Sequence, residues 1–424
     1  MRFLHPRRAR LGATLLVVLA AAACESGTEP QLKGTATVTI SSDRSPAVAA
    51  LSLQISGPGM DTARYYFGPD TGETVSGTVL VPAGARRHIA ALAFDSDGVN
   101  TYKGDTTLTL VAGSNPPLHL LMRVLSANDS IVVTVGDFWA PAAPMPIARG
   151  SLGVGVVNGI LYVVDGGNDC CGAGLTTVEA YDAATNTWTT KAPDLQQRNQ
   201  LAVGVIGGTL YAVGGWHSPN QLSTLTAYDP LTDSWTAKAS MPTPRRALAA
   251  GVVGDTLYAV GGYDPYVVGA LSTVEAYDPV SDSWATRAPL PTARSGLAVA
   301  VVNGILYAIG GVDNDNNFLG TVEAYDPATN TWSTKSPMPT PRFSMTAAVV
   351  NGIIYVMGGS TGVANTFVTT VEAYDPSTDT WTTRAAMPAA RAGAGAGAVS
   401  GIIYQVGGAN TALTAVDSVE SYQP

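Results

Sequence analysis

The chain has 424 residues, of which 46% are hydrophobic and 13% charged, with 46 glycines, 27 prolines and a formal net charge of −9. An acidic balance without any run of basic residues argues against a nucleic-acid or anionic-membrane surface as partner, because like charge repels phosphate. Three cysteines are too few for a disulfide framework.

Residues 1–23 place Arg2, Arg7, Arg8 and Arg10 ahead of an apolar run from Leu11 to Ala23. That run is shorter than the roughly 20 residues a membrane span needs, so it reads as an export signal. Cys24 follows Ala21-Ala22-Ala23 directly, and the segment resembles a bacterial lipoprotein signal, departing from it at Ala21, where leucine is usual. The resemblance implies lipidation of Cys24, a chain held at the outer membrane or cell surface, and membrane contact only through that lipid. Loss of the four signal arginines from 23 basic residues leaves 19 against 32 acidic ones. Residues 24–33 read as a polar tether.

From residue 34 to 136, alternating runs occur at 35–40, 48–55, 75–81, 88–94, 107–111, 118–124 and 131–135. Seven strands in about 100 residues predict a β-sandwich. The segment resembles the immunoglobulin-like or transthyretin-like modules of bacterial surface lipoproteins, without their paired cysteines, and is expected to act as a spacer. His88 and His119 lie within these runs and read as surface or satisfied interior histidines.

From residue 137 to 424 a unit of about 48 residues takes over, marked by Gly-Gly at 166/167, 214/215, 261/262, 310/311, 358/359 and 407/408. Its alternation has period two and breaks at turn residues, predicting four short antiparallel strands, a to d. Asn303-Gly304 and its counterparts suit the tight a–b hairpin. Asp326 to Asn330 suits the c–d turn, its Asp and Asn side chains able to bond nearby backbone. The unit enters on a lone strand d around Trp139 and leaves on a lone strand c around Tyr422, so the two fragments complete one another. The fold expected is all-β: six propeller blades closed by an N-terminal strand, with no sheet edge left at the seam.

Gly-Gly after strand b, a tyrosine in strand c and a tryptophan opening strand d resemble the kelch repeat. Tyr181/Trp188, Tyr228/Trp235, Tyr277/Trp284, Tyr325/Trp332 and Tyr374/Trp381 carry that pattern, and their expected work is packing blade on blade. The d–a and b–c loops must share one face, and the b–c loops differ in every blade. Variable loops on a rigid frame are where ligands bind. Candidate ligand-binding residues there are Asn168, Trp216, His217, Tyr263, Asp264, Tyr266, Asp313, Asp315, Asn317 and Phe318. Arg149, Arg198, Arg245, Arg294, Arg342 and Arg391 open strand a on the same face, and Glu179, Glu275, Glu323, Glu372 and Glu420 recur near strand c. This matched regularity reads as structural pairing. Arg246 and Phe343 break the repeat just after the arginine, and in kelch propellers such positions often face the ligand, so both join the candidates.

No motif for catalysis stands out. Asp313 to Asn317 alternates oxygen ligands like the front of a calcium loop but lacks the following glycine and the distant glutamate. The copper-radical oxidases that share the repeat need two histidines and a cysteine-linked tyrosine, and this propeller has only His217. No cofactor or metal is therefore expected. Cys170 and Cys171, adjacent in one loop, could close a vicinal disulfide or remain two thiols. The reading favoured is a monomeric binding module for a protein, peptide or glycan. The alternative is a sugar-acting enzyme similar to the periplasmic kelch proteins that interconvert sialic acid anomers, using Arg246 with Asp264 or Asp313.

Overall fold

A computed structural model describes the backbone of eight strands between residues 33 and 134, and residues 138–168, 174–266, 269–362 and 366–424. The signal, Cys24 and the Cys170-Cys171 pair lie outside these residues. The chain divides into two units, Met1–Gly136 and Asp137–Pro424. No helix among the described residues is long and apolar enough to cross a membrane.

In the first unit, Met60–Phe67, Ala50–Gly57, Gly84–Phe94 and Asn100–Leu110 form one antiparallel sheet in that order. Lys33–Ser41 pairs with Thr74–Pro82, and Leu121–Arg123 with Val132–Thr134. The strand Met60–Phe67 has no counterpart in the sequence reading. The packing that would make these sheets a sandwich, and the surroundings of His88 and His119, lie outside the described side chains.

The second unit is a six-bladed propeller. Five blades are continuous in sequence, beginning at Gly153, Ala202, Ala249, Ala298 and Thr346. The sixth takes strands Gly395–Val399, Ile402–Val406 and Val419–Gln423 from the C-terminus and Phe138–Ala142 from the start of the unit. Trp139 faces Tyr422 in that register, as Trp188 faces Tyr181 in the first blade. Strand a alternates buried and half-buried residues in five blades, and the half-buried set, such as Val154 and Val156, packs against the core between blades.

Aromatic residues join the blades as expected. Each strand-d tryptophan lies 4.8–5.3 Å, centroid to centroid, from the strand-c tyrosine of its own blade. Each of those tyrosines also meets a strand-b tyrosine of the preceding blade at 5.4–5.9 Å, a ring closed by Tyr404 against Tyr181. Such pairs contribute about 0.5–1.5 kcal/mol each beyond burial.

The c–d turn does more than bond nearby backbone. Asn330 Oδ1 accepts from Tyr325 Oη at 2.7 Å and from the Ala288 amide of the preceding blade at 2.9 Å. Trp332 Nε1 donates to the carbonyl of the same Ala288 at 2.9 Å. One residue of the preceding blade is thus held by both polar groups of its backbone. The arrangement recurs with Asn186/Trp188 on Ala143, Asp233/Trp235 on Ala192, Asp282/Trp284 on Ala239 and Asp379/Trp381 on Ser336. At the seam, Trp139 Nε1 donates to Ala385 O at 3.0 Å.

Candidate functional site

The arginines that open strand a are buried and paired. Arg149–Glu179, Arg245–Glu275 and Arg294–Glu323 lie 2.7–2.8 Å apart, and Arg342–Glu372 and Arg391–Glu420 repeat the pair. Burial pulls the Arg149, Arg245 and Arg342 guanidinium groups below their ordinary pKa, and Arg294 down to about 10. A buried charge left without its partner is costly, so these pairs are fixed parts of the frame.

Blade 2 solves the same problem differently. Thr226 stands where the other blades have glutamate, and Arg198 turns instead to Asp165 at 3.1 Å and to Asp194. The Arg198 guanidinium also donates to Thr226 Oγ1. Asp165 corrects the sequence reading of the first repeat. The Gly166 amide donates to Arg198 O as Gly215 does to Arg245 O, so Asp165 and Gly166, not Gly166 and Gly167, occupy the paired positions. Asp165 has φ +56°, where the other blades have glycine, a conformation that aspartate tolerates better than most residues. Asp194 replaces the buried methionine or leucine of the other blades, Met241 or Leu290 for example. Burial, with Asp194 adding to it, pushes the Asp165 carboxyl well above its ordinary pKa.

Above the arginines the chain turns into a mouth. The second residue after each arginine has positive φ: Ser151, Gln200, Ala247, Gly296, Ser344 and Gly393. Each amide donates to the carbonyl of its equivalent in the preceding blade, at 2.7–2.9 Å, and the Ser151 amide donates to Gly393 O to complete the circle. Six peptide groups therefore make a closed hydrogen-bonded ring around the axis. Around it, the residue just after each arginine bridges to the first residue of a b–c loop: Asn199 to Trp216, Arg246 to Tyr263, Ser295 to Val312, Phe343 to Ser360.

These elements enclose a cavity of ≈ 680 Å³, within the roughly 300–1,000 Å³ typical of small-ligand sites. Of the sequence candidates, Arg246, Tyr263, Phe318 and Phe343 line it. The Arg246 guanidinium carbon lies 5.3 Å from the ring centres of both Trp216 and Tyr263, which brings Trp216 to the same wall. Phe318 stacks on Phe343 at 5.3 Å and 23°.

The other candidates lie outside the cavity lining. His217 belongs to a short hairpin, Trp216–His217 with Asn220–Gln221. Asp264 is buried in a second hairpin and accepts from the Tyr266 amide at 2.9 Å, while Tyr266 itself is 74% exposed. Asp313 accepts from the amides of Asp315 and Asn317 at 2.9 and 2.8 Å and from Asn317 Nδ2 at 2.9 Å. The Asn317 side chain, first among these bonds, holds the Asp313 carboxyl below its ordinary pKa. Asp313 thereby folds the loop that bridges Phe318 to Val312 and so offers that ring to the mouth. Asn168 is exposed beside the loop of blade 1. No group of three or more metal-ligating side chains occurs among the described residues.

Sequence reasoning missed Phe367, Gln200, Ser344 and Ser360, which also line the cavity. Gln200 and Ser344 were findable as the second residue after the arginine. Phe367 was findable as the aromatic of its variable b–c loop, the rule that gave Phe318, and the bridge to Ser360 places it as the bridge to Val312 places Phe318.

Repeat, ring closure and aromatic register define a six-bladed propeller of kelch type. The chain belongs to the family described as Attractin/LZTR1 beta-propeller, whose model matches residues 161–415. A solved structure titled "Structure of YjhT" is similar in fold at 16% identity, with a TM-score of 0.59, covering 66% of this chain and 95% of that one. No curated protein matches the chain.

Proposed function

We propose that this chain is a non-enzymatic binding module, exported and lipid-anchored through Cys24, which holds a peptide, protein or glycan ligand in the mouth of the propeller. The observation that carries this reading is the lining of the cavity. Aromatic rings, one arginine and uncharged polar groups surround it, and among the described residues no aspartate, glutamate, histidine, lysine or cysteine lines it. Such a wall offers contact area and a charge but no carboxylate or imidazole for general acid-base work. The sugar-acting alternative needs Arg246 to converge with Asp264 or Asp313, and neither aspartate lines the cavity; each serves its own loop.

A glycan and peptide binding screen on the full chain tests this, with sialic acid mutarotation assayed alongside. Arg246→Ala and Phe343→Ala should each weaken a bound hit by about 10-fold or more, as expected for residues at the centre of a contact. Hits indifferent to both substitutions would move the site elsewhere, and turnover of sialic acid would reinstate the enzyme. Cys24→Ser should release the protein from membranes; unchanged membrane retention would remove the lipid anchor from the reading.

A further inference from the structure

Each strand-a arginine on this face is neutralised by a buried carboxylate. Arg246 is the exception. It is half-buried, it lines the cavity, and no carboxylate among the described residues forms an ion pair with it. Its company is Trp216 and Tyr263, whose faces hold the guanidinium at 5.3 Å from each side. Aromatic faces steady a cation without consuming its hydrogen-bond donors, so the planar fork of N–H groups is kept for another acceptor. Another stretch of the wall is aromatic, with Phe318 stacked on Phe343 and Phe367 beside the same cavity, among uncharged polar side chains such as Gln200 and Ser344.

We infer that the mouth binds an organic carboxylate with a flat or apolar body, the carboxylate forked on Arg246 and the body lying on Phe318, Phe343 and Phe367. This rests on the mouth being the binding site, as proposed above, and adds the chemical class of what enters. A single unopposed cation calls for a single negative charge. A carboxylate matches the guanidinium fork two bonds at a time. The phenylalanine stretch of the wall gains from an apolar body, whereas a polyhydroxylated acid would lose hydration against those rings. The protein carries more acid than base, and Arg246 is the one cation among the described lining residues of the cavity.

The test is calorimetric titration of the full chain with matched acid and alcohol pairs: 4-phenylbutyrate against 4-phenylbutanol, and indole-3-acetate against indole-3-ethanol. N-acetylneuraminic acid serves as the polar acid and N-acetylglucosamine as the neutral sugar. The acids should bind at least about 10-fold more tightly than their alcohols, the ratio that a charge-assisted hydrogen bond of about 1.5 kcal/mol produces. In Arg246→Met, which keeps an unbranched stem and removes the charge, acid and alcohol should bind alike. Phe343→Ala should weaken both members of each pair. Unchanged thermal unfolding of both variants shows that the frame is intact. Equal binding of acid and alcohol by the parent, an undiminished preference in Arg246→Met, or no saturable signal from either aromatic acid overturns the inference. Tighter binding of N-acetylneuraminic acid than of both aromatic acids overturns the apolar body. Aromatic acids that depend on Phe343 but not on Arg246 overturn the carboxylate fork and leave the mouth as the site. Ligands indifferent to both residues overturn the site itself.

Discussion

Replacing Thr226 with glutamate installs the residue that the other five blades carry at this position of strand c, and it should nevertheless destabilise the propeller. In those blades one glutamate meets one arginine. In blade 2 Arg198 already meets Asp165 through Nε at 3.1 Å and Asp194 through Nη2, with Thr226 Oγ1 on the same nitrogen, and the ion-paired side chains are fully buried. A third carboxylate finds no cation, and an uncompensated buried charge costs about 3–5 kcal/mol. The double variant Asp165→Gly/Asp194→Met makes the opposite error, leaving Arg198 without any acid, at a similar cost. Combining all three substitutions returns the junction to one arginine and one glutamate, and most of both losses should vanish. Urea midpoints at neutral pH with unchanged slopes measure this directly. If the effects simply add, within about 0.5 kcal/mol, the idea that the two aspartates replace the missing glutamate is refuted.

The seam and the buried Asp165 carboxyl give further tests. Trp139→Phe keeps the ring against Tyr422 but loses the bond to Ala385 O, an expected loss of about 0.5–1.5 kcal/mol. Deleting residues 138–142 unpairs the whole edge of Val419–Gln423 and should lower the melting temperature far more; an unchanged melt would show that the ring closes without this strand. The folded pKa of Asp165 lies well above its ordinary 3.8, because burial and Asp194 favour the protonated form. Its contribution is therefore fully present below about 3.8 and is lost as pH climbs through the raised folded value. Asp165→Asn removes that titration, so its stability relative to the parent should improve as pH rises across this window. Parallel pH profiles for the two proteins would count against the assignment.

The frame was legible because its rules are local. Asn303-Gly304 takes positive φ at both residues, and the terminal fragments around Trp139 and Tyr422 show the period broken where the ring must be sewn. The first repeat was misaligned by one residue because glycine identity stood in for backbone conformation. Asp165 adopts that conformation without being glycine, and only the hydrogen bond from Gly166 to Arg198 fixes the register. The site was half legible. Arg246 and Phe343 announced themselves by interrupting a repeated position. Asp264 and Asp313 misled because a carboxylate in a variable loop looks free for a ligand until its own backbone claims it. Phe367 reaches the cavity by the same loop bridge as Phe318, and the variable-loop rule that nominated Phe318 applied to it equally.

The circle of six peptide groups at the mouth acts as a washer with a fixed bore. Each member both donates and accepts, so no blade can swing outward without breaking the circle on its two sides. The diameter is thus set by the number of blades and stays the same whichever ligand arrives. Side chains standing on the washer can narrow it, and two of the six positions, Gly296 and Gly393, carry none. Any refinement of selectivity by size in this lineage has those two positions as its simplest valve.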